Sequence, residues 1–184
     1  MAEIHISGIW TNVQGPADLS SFRGVGTKKI TWGTPADSET SSYAFEGGTN
    51  NIDIDGDAFV LGTFTHHNYR IYAPFERFSV DLQITATVKN GPTRNIIVTF
   101  DHYESPNRGP VAAQADVVTL RPLSVDDASR AIQAVKIENI ECDMIFEGFY
   151  SHDTGELNST YRSPEDKSNL ADIHVRLARY GGER

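Results

Sequence analysis

Apolar and polar residues alternate with a period of two through most of this chain. In FSVDLQITATV, Val80, Leu82, Ile84 and Val88 fall on one face, and Ser79, Asp81, Gln83, Thr85 and Thr87 on the other. NIIVTF places Ile96, Val98 and Phe100 together. IECDMIFEGF sets Cys142, Met144 and Phe146 against Asp143, Ile145 and Glu147. ADIHVRLARY sets Ala171, Ile173, Val175 and Leu177 against Asp172, His174 and Arg176. KKITWG and SYAFEG read as shorter strands. Side chains on a strand point to opposite faces in turn, so each of these segments predicts a strand with one buried face. Turn residues separate them: Gly33-Thr34-Pro35, Gly47-Gly48, Asn90-Gly91-Pro92, Ser105-Pro106-Asn107 and Asp153-Thr154-Gly155. The pattern predicts a single all-β domain over residues 1–184, an antiparallel β-sandwich, with a jelly roll among the forms open to it. At most one short helix is expected. SVDDASRAIQAV (124–135) is its best candidate, and the second half of that segment reads better as strand.

Composition narrows the function classes. At 184 residues the chain is long enough for one substantial core. Apolar residues make up 39% and aromatics 10%, values of a globular protein rather than a disordered one. Sixteen basic against 25 acidic residues leave a net charge of −9. That balance argues against nucleic acid and against an anionic membrane as partners, since both call for a basic face. No apolar run approaches the ~20 residues of a spanning helix, so no direct membrane insertion is expected. The opening MAEIHISGIW has neither a basic segment nor a long apolar stretch, so no signal peptide is predicted. Cys142 is the single cysteine, which excludes an intrachain disulfide; its place in an apolar row predicts an inert packed thiol.

Candidate chemistry begins where LGTFTHHN ends an apolar row in polar residues. His66 and His67 are adjacent, so a regular strand sends them to opposite faces, whereas His66 and Asn68 share the face of Phe64. In IIVTFDHYESPN, His102 and Glu104 continue the row of Ile96, Val98 and Phe100, with Asn107 just beyond. If the two strands are neighbours, His66, Asn68, His102 and Glu104 converge at one edge of the core. Such a group can be a hydrogen-bonded polar plug, a divalent metal site or a general acid–base pair. A second candidate is NNIDIDGDAF, where Asp53, Asp55 and Asp57 alternate and can offer oxygens to calcium. It departs from an EF-hand loop: Ala58 stands where glycine is needed, and Phe64 stands at the twelfth position. A solvated acidic loop is the plainer reading. Trp10, Trp32, Tyr43, Tyr69 and Tyr72 can form a sugar-stacking platform, although such rings more often pack in cores.

Several words of the sequence resemble one family together. SGIWTNVQG, ITWGTPADSETSSYAFEG, FVLGTFTHHNYRIY, FDHYESPN, DVVTL and YRSPEDKSNLADIHVRLARY look like the bacterial choice-of-anchor K domain, in that order and over nearly the whole chain. The pattern falls on Trp32, Gly33, Pro35, His66, Asn68, His102, Glu104, Pro106, Asn107, Pro164, Glu165 and Asn169. The resemblance implies a β-rich domain of the cell surface or extracellular space, attached by a C-terminal sorting signal, with no established enzymatic role. No such anchor is visible, since the sequence closes on HVRLARYGGER. The expected function is a non-enzymatic binding or structural module that meets a protein or glycan, with Ca2+ at Asp53, Asp55 and Asp57 as its one candidate cofactor. The alternative is a metal-dependent enzyme built on His66, His102 and Glu104.

Overall fold

A strand with one apolar face must lay that face on another, and two sheets doing so enclose a core about 10 Å thick. The computed structural model describes residues 2–106, 108, 110, 113–121, 131–137 and 140–179. It is all-β, with antiparallel sheets curled into half-barrels that face each other. Among the described residues the strands are β1 (Ala2–Gln14), β2 (Lys29–Trp32), β3 (Thr34–Pro35), β4 (Ser41–Glu46), β5 (Thr49–Ile52), β6 (Phe59–Asn68), β7 (Ile71–Tyr72), β8 (Arg77–Val88), β9 (Thr93–Tyr103), β10 (Asp116–Leu120), β11 (Ala131–Ile137), β12 (Ile140–Ser151), β13 (Leu157–Asn158), β14 (Thr160–Ser163) and β15 (Lys167–Arg179). One sheet runs β14-β10-β9-β8-β1-β5 and the other β11-β12-β15-β6-β4-β2, with β13 on the edge of β12. The short ribbon β3-β7 stands apart at one end.

The alternating faces meet as the sequence predicts. Val80, Leu82, Ile84, Ile96, Val98 and Phe100 come from one sheet; Phe64, Met144, Phe146, Ile173 and Val175 come from the other, and all are buried. Trp10 joins the layers, with its ring 5.0 Å from Phe100 and 5.3 Å from Tyr43. Phe64 and Phe100 touch across the sheets at 5.4 Å. A single hydrophobic cluster reaches into both sheets. Burying rings of this size supplies roughly 1.5–3 kcal/mol each.

Two details go beyond the expectation, and a third accords with it. The N-terminal segment is a long strand, with Ile4, Ile6 and Trp10 on its buried face. The alternation of β12 breaks between Phe146 and Gly148, where the register with β15 shifts. That bulge explains why Phe146 and Phe149 are both buried although an odd number of steps separates them. Among the described residues no helix forms: the strand reading of 131–135 holds in β11, and the first half of that candidate segment lies outside the described residues.

Candidate functional site

The segments carrying the two histidine motifs are both strands, but they belong to opposite sheets. β6 and β9 therefore do not pair; they face each other across the core, and their ends meet at one end of the sandwich. His66 is registered with Tyr43 on β4 and Asn169 on β15. His102 is registered with Phe78 on β8 and Val118 on β10. Each strand follows its inward apolar row with an inward polar residue, so the rows Phe64-His66-Asn68 and Phe100-His102 arrive at the same place. His66, Asn68 and Asn169 are fully buried, with His102 at 2% and Glu104 at 6% exposure.

Asp116 joins them, although the sequence reading did not single it out. It is the first residue of β10, fully buried, two positions before the buried Val118. The signal was present in DVVTL, where Asp116, Val118 and Leu120 alternate as one inward row. Asp116 Oδ1 accepts the Ser105 amide N–H at 2.8 Å. Its Oδ2 faces both imidazoles, 3.8 Å from His66 Nε2 and 3.7 Å from His102 Nε2, and has no hydrogen-bond partner.

The rest of the network fixes His102 and Glu104. His102 Nε2 lies 3.1 Å from Glu104 Oε2 and donates to it, which leaves Nδ1 to accept the Tyr43 hydroxyl proton. Trp32 Nε1–H donates to the same Glu104 oxygen at 3.2 Å. The imidazole of His102 stacks on Phe78, with 4.5 Å between ring centres. Below this layer, Asn68 Nδ2 donates to the Ser163 carbonyl at 2.8 Å, and Asn169 Nδ2 donates to Ser163 Oγ and the Pro164 carbonyl, each at 2.8 Å. Several buried atoms keep no hydrogen-bond partner: both ring nitrogens of His66, Glu104 Oε1, Asp116 Oδ2, Asn68 Oδ1 and Asn169 Oδ1.

Enclosure sets the charges. Burial, reinforced by the nearby Glu104 carboxylate, pushes Asp116 up to about 9 against the opposing Ser105 hydrogen bond. Burial, helped by His102, holds His66 well below the ordinary imidazole value. Burial and then the Asp116 and Glu104 charges raise Tyr43 well above the usual phenol. The group thus favours neutral forms: an imidazole, a phenol and a protonated carboxyl. The ligand atoms of His66, His102 and Asp116 lie within 4.8 Å of one another, as do those of Glu104, Asp116 and Glu165.

A surface cleft of about 790 Å³ opens beside the cluster, and Glu104 contributes to its wall. Ile71, Tyr72, Pro74 and Phe75 give it an apolar side, while Arg70, Glu76 and Arg108 give it charge. The β3-β7 ribbon holds this wall in place. Gly33 turns with φ of 75°, and a Cβ there would stand 2.4 Å from the Ile71 side chain. Only a glycine lets the chain leave Trp32 and pass so close to β7.

The remaining candidates separate. Asn107 lies outside the described residues. His67 points away from the cluster, with its Nδ1 2.7 Å from Ser168 Oγ. The three acidic residues after β5 do not line one side of an extended loop, because Asp55 adopts φ of 62° and turns the chain. Asp55 is bound instead to Arg179, accepting its amide at 2.8 Å and its Nε at 3.0 Å. Asp53, Asp55 and Asp57 are exposed, and they do not gather their oxygens within 4.8 Å of one another. Trp10, Trp32 and Tyr43 are core residues with no exposure, Tyr69 is half-buried, and Tyr72 is 72% exposed. Cys142 is buried, and burial raises its thiol.

No family model matches the chain, and no curated protein matches it.

Proposed function

We propose that this protein is a non-enzymatic binding or structural module of the extracellular kind, meeting a protein or glycan at the cleft beside Glu104. The observation that carries the reading is the division of labour at this end of the sandwich. The titratable groups able to do chemistry, His66, His102 and Asp116, are sealed inside, and what reaches solvent is a recognition surface of Tyr72, Ile71, Pro74, Arg70 and Arg108. An exposed aromatic ring beside guanidinium groups suits sugar faces and peptide carboxylates alike. The resemblance of WGTP, LGTFTHHN and FDHYESPN to choice-of-anchor K domains supports a cell-surface or extracellular setting.

A second reading, a metal-dependent enzyme, draws on Glu104, which belongs both to the buried cluster and to the cleft wall. A calcium site at Asp53, Asp55 and Asp57 would need Asp55 released from Arg179.

One experiment tests the module reading. The protein and its Tyr72→Ala and Arg70→Ala variants are applied to an immobilised panel of soluble glycans and extracellular proteins. Binding by the parent is expected to fall roughly ten-fold or more in one or both variants, with melting temperatures unchanged. Panel binding indifferent to both substitutions, or metal-dependent turnover of a panel glycan or protein, would overturn it. Calcium that raises the melting temperature of the parent, and not of Asp53→Asn, would restore the acidic loop as a site.

A further inference from the structure

The hydrogen-bonded plug accounts for only part of the cluster. His66 has no exposure and no partner at either ring nitrogen, and Asp116 Oδ2 is equally enclosed and equally without a hydrogen bond. Buried polar atoms are ordinarily paired, because each orphan forfeits its hydration. Here the orphans are not scattered. His66 Nε2 and Asp116 Oδ2 lie 3.8 Å apart, and the same oxygen is 3.7 Å from His102 Nε2, whose hydrogen-bond partner is Glu104. Those gaps are too long for hydrogen bonds. They suit two ligands of one ion: atoms each about 2.1 Å from a shared metal stand roughly 3.4 Å apart at the tetrahedral angle, and further apart as the angle opens.

The groups behind these atoms are arranged as supports. Tyr43 sits on the far nitrogen of His102, the position from which a partner fixes a ligating ring. The Ser105 amide occupies Asp116 Oδ1, so Oδ2 is the oxygen left to point inward. Trp32 anchors Glu104 through Oε2, and Oε1 is again without a hydrogen-bond partner.

We propose that His66, His102, Asp116 and Glu104 form a buried structural site for one zinc-class divalent ion, joining the two sheets at the end of the sandwich. The donor set selects the class of ion. Two imidazoles with carboxylates suit zinc and its first-row neighbours, whereas calcium takes six to eight oxygens. The ligand atoms of His66, His102 and Asp116 already lie within 4.8 Å of one another; Glu104, 3.1 Å from His102 Nε2 but outside that trio, closes the coordination sphere by moving onto the ion, as structural sites require and catalytic ones do not. On binding, Asp116 releases its proton to solvent as its carboxylate meets the ion, and His102 Nε2 exchanges Glu104 for the ion while its own proton is replaced by one on Nδ1, which then donates to the Tyr43 oxygen.

The test begins with the unmodified protein. It is stripped by a chelator, dialysed, and titrated with Zn2+, and in parallel with Co2+, whose visible absorption reports four-coordination. One equivalent is expected, with a rise in melting temperature of about 5 °C or more that neither Ca2+ nor Mg2+ reproduces. Asp116→Asn and His66→Gln are each expected to weaken Co2+ binding roughly ten-fold or more. Where a substitution prevents folding, imidazole nitrogen NMR of the unmodified protein decides: zinc must shift the Nε2 resonances of His66 and His102. No stoichiometric uptake, unshifted rings, or Co2+ binding that survives both substitutions unchanged would overturn the site and leave a metal-free polar plug.

Discussion

Buried beside the Glu104 carboxylate, Asp116 keeps a proton that an unfolded chain would release, even though the Ser105 amide hydrogen bond favours the ionised form. Its folded value of about 9 lies above the ~3.9 of an unfolded aspartate. Between those limits the folded state binds the extra proton. The contribution of this group is therefore complete below about pH 4 and is lost as pH rises toward 9. His66 works in the opposite sense. Its imidazole resists protonation when folded, so its contribution is present above about pH 6.5 and is lost as pH falls below that. From pH 7 to 9 the Asp116 trend stands clear of the His66 one. The chelated protein is expected to lose thermal stability across that interval, and Asp116→Asn, which has no proton to lose, is expected to flatten the loss. Melting curves at pH 7, 8 and 9 check this; parallel slopes in parent and variant would show that Asp116 is ionised in the fold.

At the scale of elements, β12 shows how far alternation reads and where it stops. Cys142, Met144 and Phe146 lie inward as their spacing predicts, and then Gly148 introduces the bulge. Gly148 has φ of 138°, and a Cβ on it would meet the Asn158 carbonyl oxygen at 2.5 Å. Gly148→Ala is expected to destabilise the protein by about 2 kcal/mol or more, read as a lowered urea midpoint, because both the backbone conformation and the approach of β13 exclude a side chain. The sequence alone could not place that bulge, since a glycine in a strand signals several features equally well. The same limit applies to the site. That His66, Asn68, His102 and Glu104 share inward faces followed from parity. That β6 and β9 sit in opposing sheets did not, because strand periodicity carries no information about partner choice. Asp116 was legible in the row Asp116-Val118-Leu120, yet a short strand after the unpatterned stretch from Pro106 to Ala115 gave little reason to read it as facing the histidines. The acidic alternation of Asp53, Asp55 and Asp57 misled for the converse reason: a left-handed residue at Asp55 cancels parity, and nothing in the residue types announces it.

At the scale of the molecule, one apolar cluster among the described residues spans both sheets, and the polar group sits at its end rather than in a compartment of its own. Trp10 belongs to one sheet and Trp32 to the other, and both are without exposure. Denaturation by urea is therefore expected to give one transition, with tryptophan fluorescence and far-ultraviolet circular dichroism coincident. Separated midpoints would mean that the sheets melt independently.

The placement of β15 has a consequence for synthesis. This strand, Lys167–Arg179, is among the last described segments of the sequence, yet it lies between β12 and β6 in the middle of its sheet and supplies Asn169 beside His66. A nascent chain on the ribosome cannot join the two halves of that sheet until β15 has emerged. Until then the inner edge of β6 offers unpaired backbone groups to any neighbouring polypeptide. Completion of this sheet during synthesis must wait for β15, and the longer the wait, the longer that edge stays open to wrong pairing.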